Sequence, residues 1–168
     1  MEVYKVTFKH HLRNGWLIIL GIILCVFFPY FMVFKTNERI EVFSIISIFL
    51  FVLTAIPIIV VHLNYYTVNK GDVLKYAYQE REIIITHKGI SINFSLDDIE
   101  EVIRYMSFNF AANRSSVLPW DGYNHAVVRL KNGREFTITS LLVPNLNIPI
   151  EGDRIIIKRG LYRLAKKY

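Results

Sequence analysis

Five histidines, one cysteine and a cluster of carboxylates are the groups in this 168-residue chain best suited to chemistry. Their spacing argues against each familiar use. His10 and His11 are adjacent, so on a helix their rings point about 100° apart and make a poor shared metal site. His62, His87 and His125 lie far from them and from one another in the chain. Asp97-Asp98 with Glu100-Glu101 supplies paired acids, but acid/base work needs two carboxyls converging on one pocket. Adjacent acids in a turn diverge into water, and Asp97 or Asp98 suits the cap of a short helical turn. There is no G-x-x-x-x-G-K, G-x-S-x-G, H-E-x-x-H or C-x-x-C stretch. A single cysteine excludes a disulfide scaffold and a Cys-based zinc cluster. No catalytic residue, no cofactor site and no metal ligand is therefore assigned, and no enzymatic activity is expected.

Two stretches have the residue types of binding surfaces. Arg154, Lys158, Arg159, Arg163, Lys166 and Lys167 interleave with Leu161, Tyr162, Leu164 and Tyr168. Beside an anionic leaflet each such cation is worth about 1 kcal/mol, so this tail is a candidate contact for anionic lipid. The competing reading is a solvated polar end; nucleic acid is the weakest of the three. Between Asn109 and Asn124 runs the longest irregular stretch. It holds Arg114, Trp120 and Tyr123, the residue types that dominate protein–protein hot spots, and these three form a candidate partner patch. The alternative is Trp120 packed as a lid over one end of a sheet.

The elements that carry these residues fall into two classes. Residues 16–34 and 42–63 are uncharged throughout. The first, as a helix, is about 28 Å long, against a hydrocarbon core of about 30 Å. Neither alternates polar and apolar residues, so both read as transmembrane helices. The first is too long for a signal-peptide core and lacks a small-residue cleavage site. Pro29 and Pro57 lie inside them, which a membrane helix tolerates. The connector 35–41 is short enough to force an antiparallel hairpin. Lys5, Lys9 and Arg13 precede it, Lys70, Lys75 and Arg81 follow, and only Lys35 and Arg39 lie between. That excess places both termini in the cytoplasm. With the C-terminal part in the cytoplasm, the Asn93 and Asn113 sequons are chance matches. The domain plan is a basic leader 1–15, a first span 16–34, an external connector 35–41, a second span 42–63 and a cytoplasmic domain 64–168. A small oligomeric pore, or transporter subunit, is the alternative. It suffers from spans without charge, with Ser44, Ser47 and Thr54 as their only Ser or Thr hydroxyls. Ser44 and Ser47 also suit close packing against a neighbouring helix, as in a homo-oligomer.

Residues 64–168 carry net charge +4 and short β runs separated by turn signals. Strands are expected at 73–79, 82–87, 90–96 and 102–108. In the third of these, Ile90, Ile92, Phe94 and Leu96 share one face. In HAVVRLKNGREFTITSLL (125–142) Ala126, Val128 and Leu130 share a face of one strand, and Phe136 and Ile138 a face of the next. A two-residue Asn132-Gly133 loop would mix core and solvent residues on one face. A three-residue loop, Lys131-Asn132-Gly133, pairs Val128 with Phe136 and Ala126 with Ile138. The alternation therefore predicts the longer loop with Gly133 left-handed and Phe136 inward. For the tail, Ile155–Ile157 reads as a strand and 161–167 as strand or helix, the two undecided.

The layout resembles the bacterial membrane-anchored PH-like proteins of the YcxB-like type. The residues that carry the resemblance are Gly89, Phe94, Ile99 and Val102 in GISINFSLDDIEEVIRY, and Gly133, Phe136 and Ile138 in RLKNGREFTITSLLVP. The resemblance implies a membrane α-helical hairpin followed by a mostly β domain: a bent antiparallel sheet or partly open barrel, often closed by a C-terminal helix. It also implies a non-enzymatic adaptor or scaffold that binds a protein partner or the anionic lipid surface. Phosphoinositide binding is not carried over, because Glu80 and Glu82 sit among the cations of Lys75–Arg81.

Overall fold

The computed structural model describes residues 1–36, 40–87, 89–112, 114, 118, 120–146, 148, 150, 152–161 and 163–166. Two long helices dominate one end. α1 spans Phe8–Thr36 and α2 spans Ile40–Asn69, and each continues through its proline. Both are long and apolar enough to cross a membrane, and Ile22, Phe27, Phe31, Ile45 and Phe49 stand exposed on them. Gly21 lies against Phe51, and His11 against His62, so the helices run antiparallel. Hydrocarbon, not protein, is the medium that suits such surfaces.

The β part begins before the hairpin. β1 (Glu2–Lys5) pairs antiparallel with β2 (Val73–Ala77), Val3 opposite Lys75. The stretch expected only as a basic leader thus supplies an edge strand. An antiparallel hairpin returns the chain to where it started, which brings residues 2–5 beside residue 73. β2 continues to β3 (Glu82–His87) and β4 (Ile90–Ser95), completing a meander in the order β1-β2-β3-β4.

A 3-10 turn at Leu96–Asp98 then moves the chain to a second sheet. Ser95 Oγ accepts from the Asp97 N–H (3.2 Å), and the Asp98 carboxylate accepts from the Ser95 N–H (2.9 Å). One acid is therefore a cap, as its position suggests. The second sheet holds β5 (Ile99–Ser107), β6 (His125–Leu130), β7 (Glu135–Thr139) and β8 (Ile155–Gly160), in the order β7-β6-β5-β8. A one-turn helix, α3 (Phe108–Ala111), follows β5.

The β6–β7 hairpin has the predicted register. Val128 opposes Phe136 and Ala126 opposes Ile138. Leu130 N–H donates to Arg134 O (2.9 Å), leaving a three-residue loop with Gly133 at φ 80°. Phe136 stacks on Phe94 of the other sheet, ring centroids 5.5 Å apart. The core lies between the sheets, with Leu74, Ile83 and Ile85 facing Val102, Val128 and Ile138.

The tail resolves as strand. β8 runs parallel to β5, Val102 opposite Ile155, and residues 163–166 form no helix. The closing helix implied by the resemblance is replaced here by an edge strand. Three consecutive isoleucines favour the extended backbone.

Candidate functional site

The features that stand apart from ordinary packing gather where the hairpin base meets the second sheet. Ile58, Val61, Tyr65 and Val68 recur at helical spacing on α2 and are buried against Tyr123, Leu141 and Ala165. Around this apolar stripe runs a polar network.

Tyr123 O–H donates to Asn14 O (3.0 Å) and its oxygen lies 2.8 Å from His62 Nδ1. The phenol has one proton, already committed, so His62 Nδ1–H must be the donor in the second bond. His62 Nε2 is then an acceptor, and it takes the proton of His11 Nδ1 at 2.9 Å. A one-directional chain thus links α1, α2 and the 120s loop. His10 Nδ1–H donates to Leu141 O (2.9 Å), and Arg13 Nη2 to Ser140 O (3.1 Å). Adjacency makes His10 and His11 useless as a metal pair but suits them to two separate anchors. Among the described residues, no three of His, Cys, Asp and Glu are placed to hold a metal ion.

Further along α2, Tyr65 O–H donates to Arg163 O (3.1 Å) and accepts from His125 Nδ1 (3.0 Å). His125 is 3% exposed. Burial, then the nearby Arg163 charge, pushes its pKa down to about 4, so the ring is neutral at pH 7. Burial likewise raises the Tyr123 phenol above its ordinary value. Asn69, the last residue of α2, donates to Asp72 Oδ2 and Thr137 O and accepts from the Thr139 N–H, each at 2.9 Å. His87 Nδ1 bonds the other Asp72 oxygen. All five histidines therefore bond through Nδ1: His10, His62 and His125 tie the β domain to the hairpin, and His11 ties α1 to α2.

Asn64 fastens the tail. Its Oδ1 accepts from the Ala165 N–H (2.7 Å) and its Nδ2 donates to Ala165 O (3.1 Å). The amide thereby acts like one rung of a β-ladder. Lys158 and Arg163 both lie over the Tyr105 ring, 5.7 and 5.8 Å from its centroid. Lys166 O accepts from Thr137 Oγ1 (2.6 Å). Lys158, Arg159, Arg163 and Lys166 are exposed in one region, with exposed Leu161 and Leu164 between them. Arg154 is not among them. It immediately precedes β8, at the opposite end, where Nη1 donates to Leu96 O and Ile99 O, both at 3.4 Å. Lys167 lies outside the described residues.

The expected partner patch does not stay together. Tyr123 is 3% exposed, with its hydroxyl spent on the hairpin. Trp120 is half-buried against the apolar cluster at the hairpin base, in the manner of a lid. Only Arg114 is exposed. The carboxylates also separate. Asp97 pairs with Arg81 at 3.4 Å, while Arg129 bridges Glu101 and Glu135.

Sequence reasoning missed His11, His62, Asn64 and Asn69 as joining residues. The antiparallel hairpin was itself a usable signal, because it sets the start of α1 beside the end of α2.

A family model described as PH domain matches residues 3–148. No curated protein and no solved structure matches the chain. The matched stretch begins inside β1, includes both long helices, and ends before β8.

Proposed function

The chain belongs to the PH-domain family, and from that premise we propose a membrane-anchored, non-enzymatic binding module whose tail docks on the anionic leaflet beside its own anchor. The hairpin crosses a bacterial inner membrane twice, with both termini cytoplasmic, in the manner of the YcxB-like type. The β domain is the binding part and serves as an adaptor or scaffold.

One observation supports the docking reading above the rest: the Asn64–Ala165 clamp. Asn64 directly follows the uncharged stretch that ends at Leu63. A tail held there brings Arg163, Leu164 and Lys166 to headgroup depth, with Lys158 joined to Arg163 through Tyr105. Three such cations contribute about 3 kcal/mol near an anionic surface. Leu161 and Leu164, each about half exposed, add apolar surface that suits the acyl boundary.

The test uses the full chain, since β1 and the hairpin both complete the domain. A nitroxide on Leu164→Cys, in a Cys25→Ser background, reports its surroundings in nanodiscs. In phosphatidylglycerol the label should be shielded from water-soluble relaxer. It should return to water in phosphatidylcholine, or when Lys158, Arg159, Arg163 and Lys166 become glutamine. Equal water exposure in both lipids would refute the docking.

A further inference from the structure

A cavity of about 420 Å³ opens at the start of α1, between the first residues of its apolar run and the loops that follow β5 and β7. It falls in the size range of small-molecule sites. Its lining divides by chemistry. Arg13, Asn14 and Ser140 are among its polar lining residues, and Trp16, Leu17 and Phe110 among its apolar ones. Among the described lining residues none is acidic. Asn14 O accepts from the Tyr123 O–H (3.0 Å), which ties this turn of α1 to the loop that closes the cavity. Arg13 uses one guanidinium nitrogen on Ser140 O (3.1 Å), and its fork carries five N–H donors.

We propose that this cavity is a binding site for the phosphodiester headgroup of one anionic membrane phospholipid. Arg13 supplies the fixed positive charge and planar donors that match a phosphate. Trp16 and Leu17 open the uncharged stretch, so an acyl chain leaving the cavity along them continues directly into hydrocarbon. Trp16 is 53% exposed, and an indole at this depth suits the interfacial layer. With no carboxylate in the described lining to receive a choline or ethanolamine cation, the site favours an anionic headgroup over a zwitterionic one. It is independent of the tail: no described residue of the basic patch lines it.

Gly122 lines the cavity, and a Cβ built there meets nothing within 4 Å. Gly122→Trp therefore adds a bulky side chain to the lining at a position where its Cβ displaces nothing. Arg13→Gln removes the charge but also its bond to Ser140, so Gly122→Trp is the control against a folding effect. Full-length protein in detergent is titrated with phosphatidylglycerol, phosphatidylcholine or inorganic phosphate and examined by native mass spectrometry. The expected result is one tightly held phosphatidylglycerol, lost in Gly122→Trp and bound at least about tenfold more weakly by Arg13→Gln. Glutamine replacements in the basic tail should leave this bound lipid in place, which separates this test from that of leaflet docking. Retention of the lipid by Gly122→Trp would overturn the proposal. So would equal binding of phosphatidylcholine, or displacement of the lipid by inorganic phosphate, which would make the site one for a free anion.

Discussion

Asn64→Ala removes both bonds that hold the tail at Ala165 and touches nothing in the core between the sheets. Each bond is worth about 0.5–1.5 kcal/mol net of water, so the pair contributes about 2 kcal/mol. Ala165 is 4% exposed, so its amide exchanges only when the tail lifts. A loss of that size raises the lifted population, and hence the exchange rate at Ala165, about 30-fold. The Tyr65 bond to Arg163 O survives and confines the release to the residues beyond it. Hydrogen–deuterium exchange with mass spectrometry, on the full chain in nanodiscs, reads this directly. Peptides from β3 and β6 serve as internal reference. Faster exchange confined to the tail is the expected outcome. Unchanged exchange at Ala165 would show that the amide clamp does not hold the tail. Faster exchange throughout β3 and β6 would show that Asn64 supports the whole domain, and the local reasoning would fail.

Two further outcomes follow from single residues. His125 has its pKa lowered to about 4 by burial and by Arg163, so the unfolded chain binds more protons than the folded one between there and about 6.5. Stability is then full above that window and falls as pH drops through it, by about 2 kcal/mol from pH 7 to pH 5; urea midpoints at the two pH values check this, and an equal slope in His125→Gln would assign the effect elsewhere. Gly133 holds φ 80° with open space around a built Cβ, so Gly133→Ala should cost about 1–2 kcal/mol from backbone strain alone, read as a lower urea midpoint, whereas an unchanged midpoint would deny the left-handed loop its role.

The hairpin at Lys131–Gly133 shows how far a sequence reading reaches. Alternation in Ala126, Val128, Phe136 and Ile138 has a period of two, so a slip of one residue would turn every side chain to the wrong face. That is why loop length and the conformation of Gly133 followed from residue types. The cap at Ser95–Asp98 was legible for a similar reason, since donor and acceptor lie three residues apart. The partner patch failed where the logic was compositional. Arg114, Trp120 and Tyr123 are hot-spot residue types, but a phenol can be exposed or buried with equal chemical satisfaction, and Tyr123 found its acceptor on Asn14, 109 residues away. Arg154 parted from the other tail cations because β8 is extended. Residues at opposite ends of a six-residue strand are about 16 Å apart, however close they stand in sequence.

Residue order by itself determined what each segment would tolerate as solvent. Uncharged runs of membrane length belong in hydrocarbon, and strands that alternate need one wet face and one dry one. These are local properties, decided over a few turns or a few residues. The tertiary structure alone decided that β1 would complete a sheet across the whole excursion from Lys5 to Val73, and that His10, His11, His62 and His125 would all serve one joint. It also decided that a tail strand would replace a closing helix and end against Asn64. A polar side chain specifies how many bonds it needs but not with whom. Its partner is whatever donor or acceptor the folded chain brings within about 3 Å, and that is settled only when elements distant in sequence have packed.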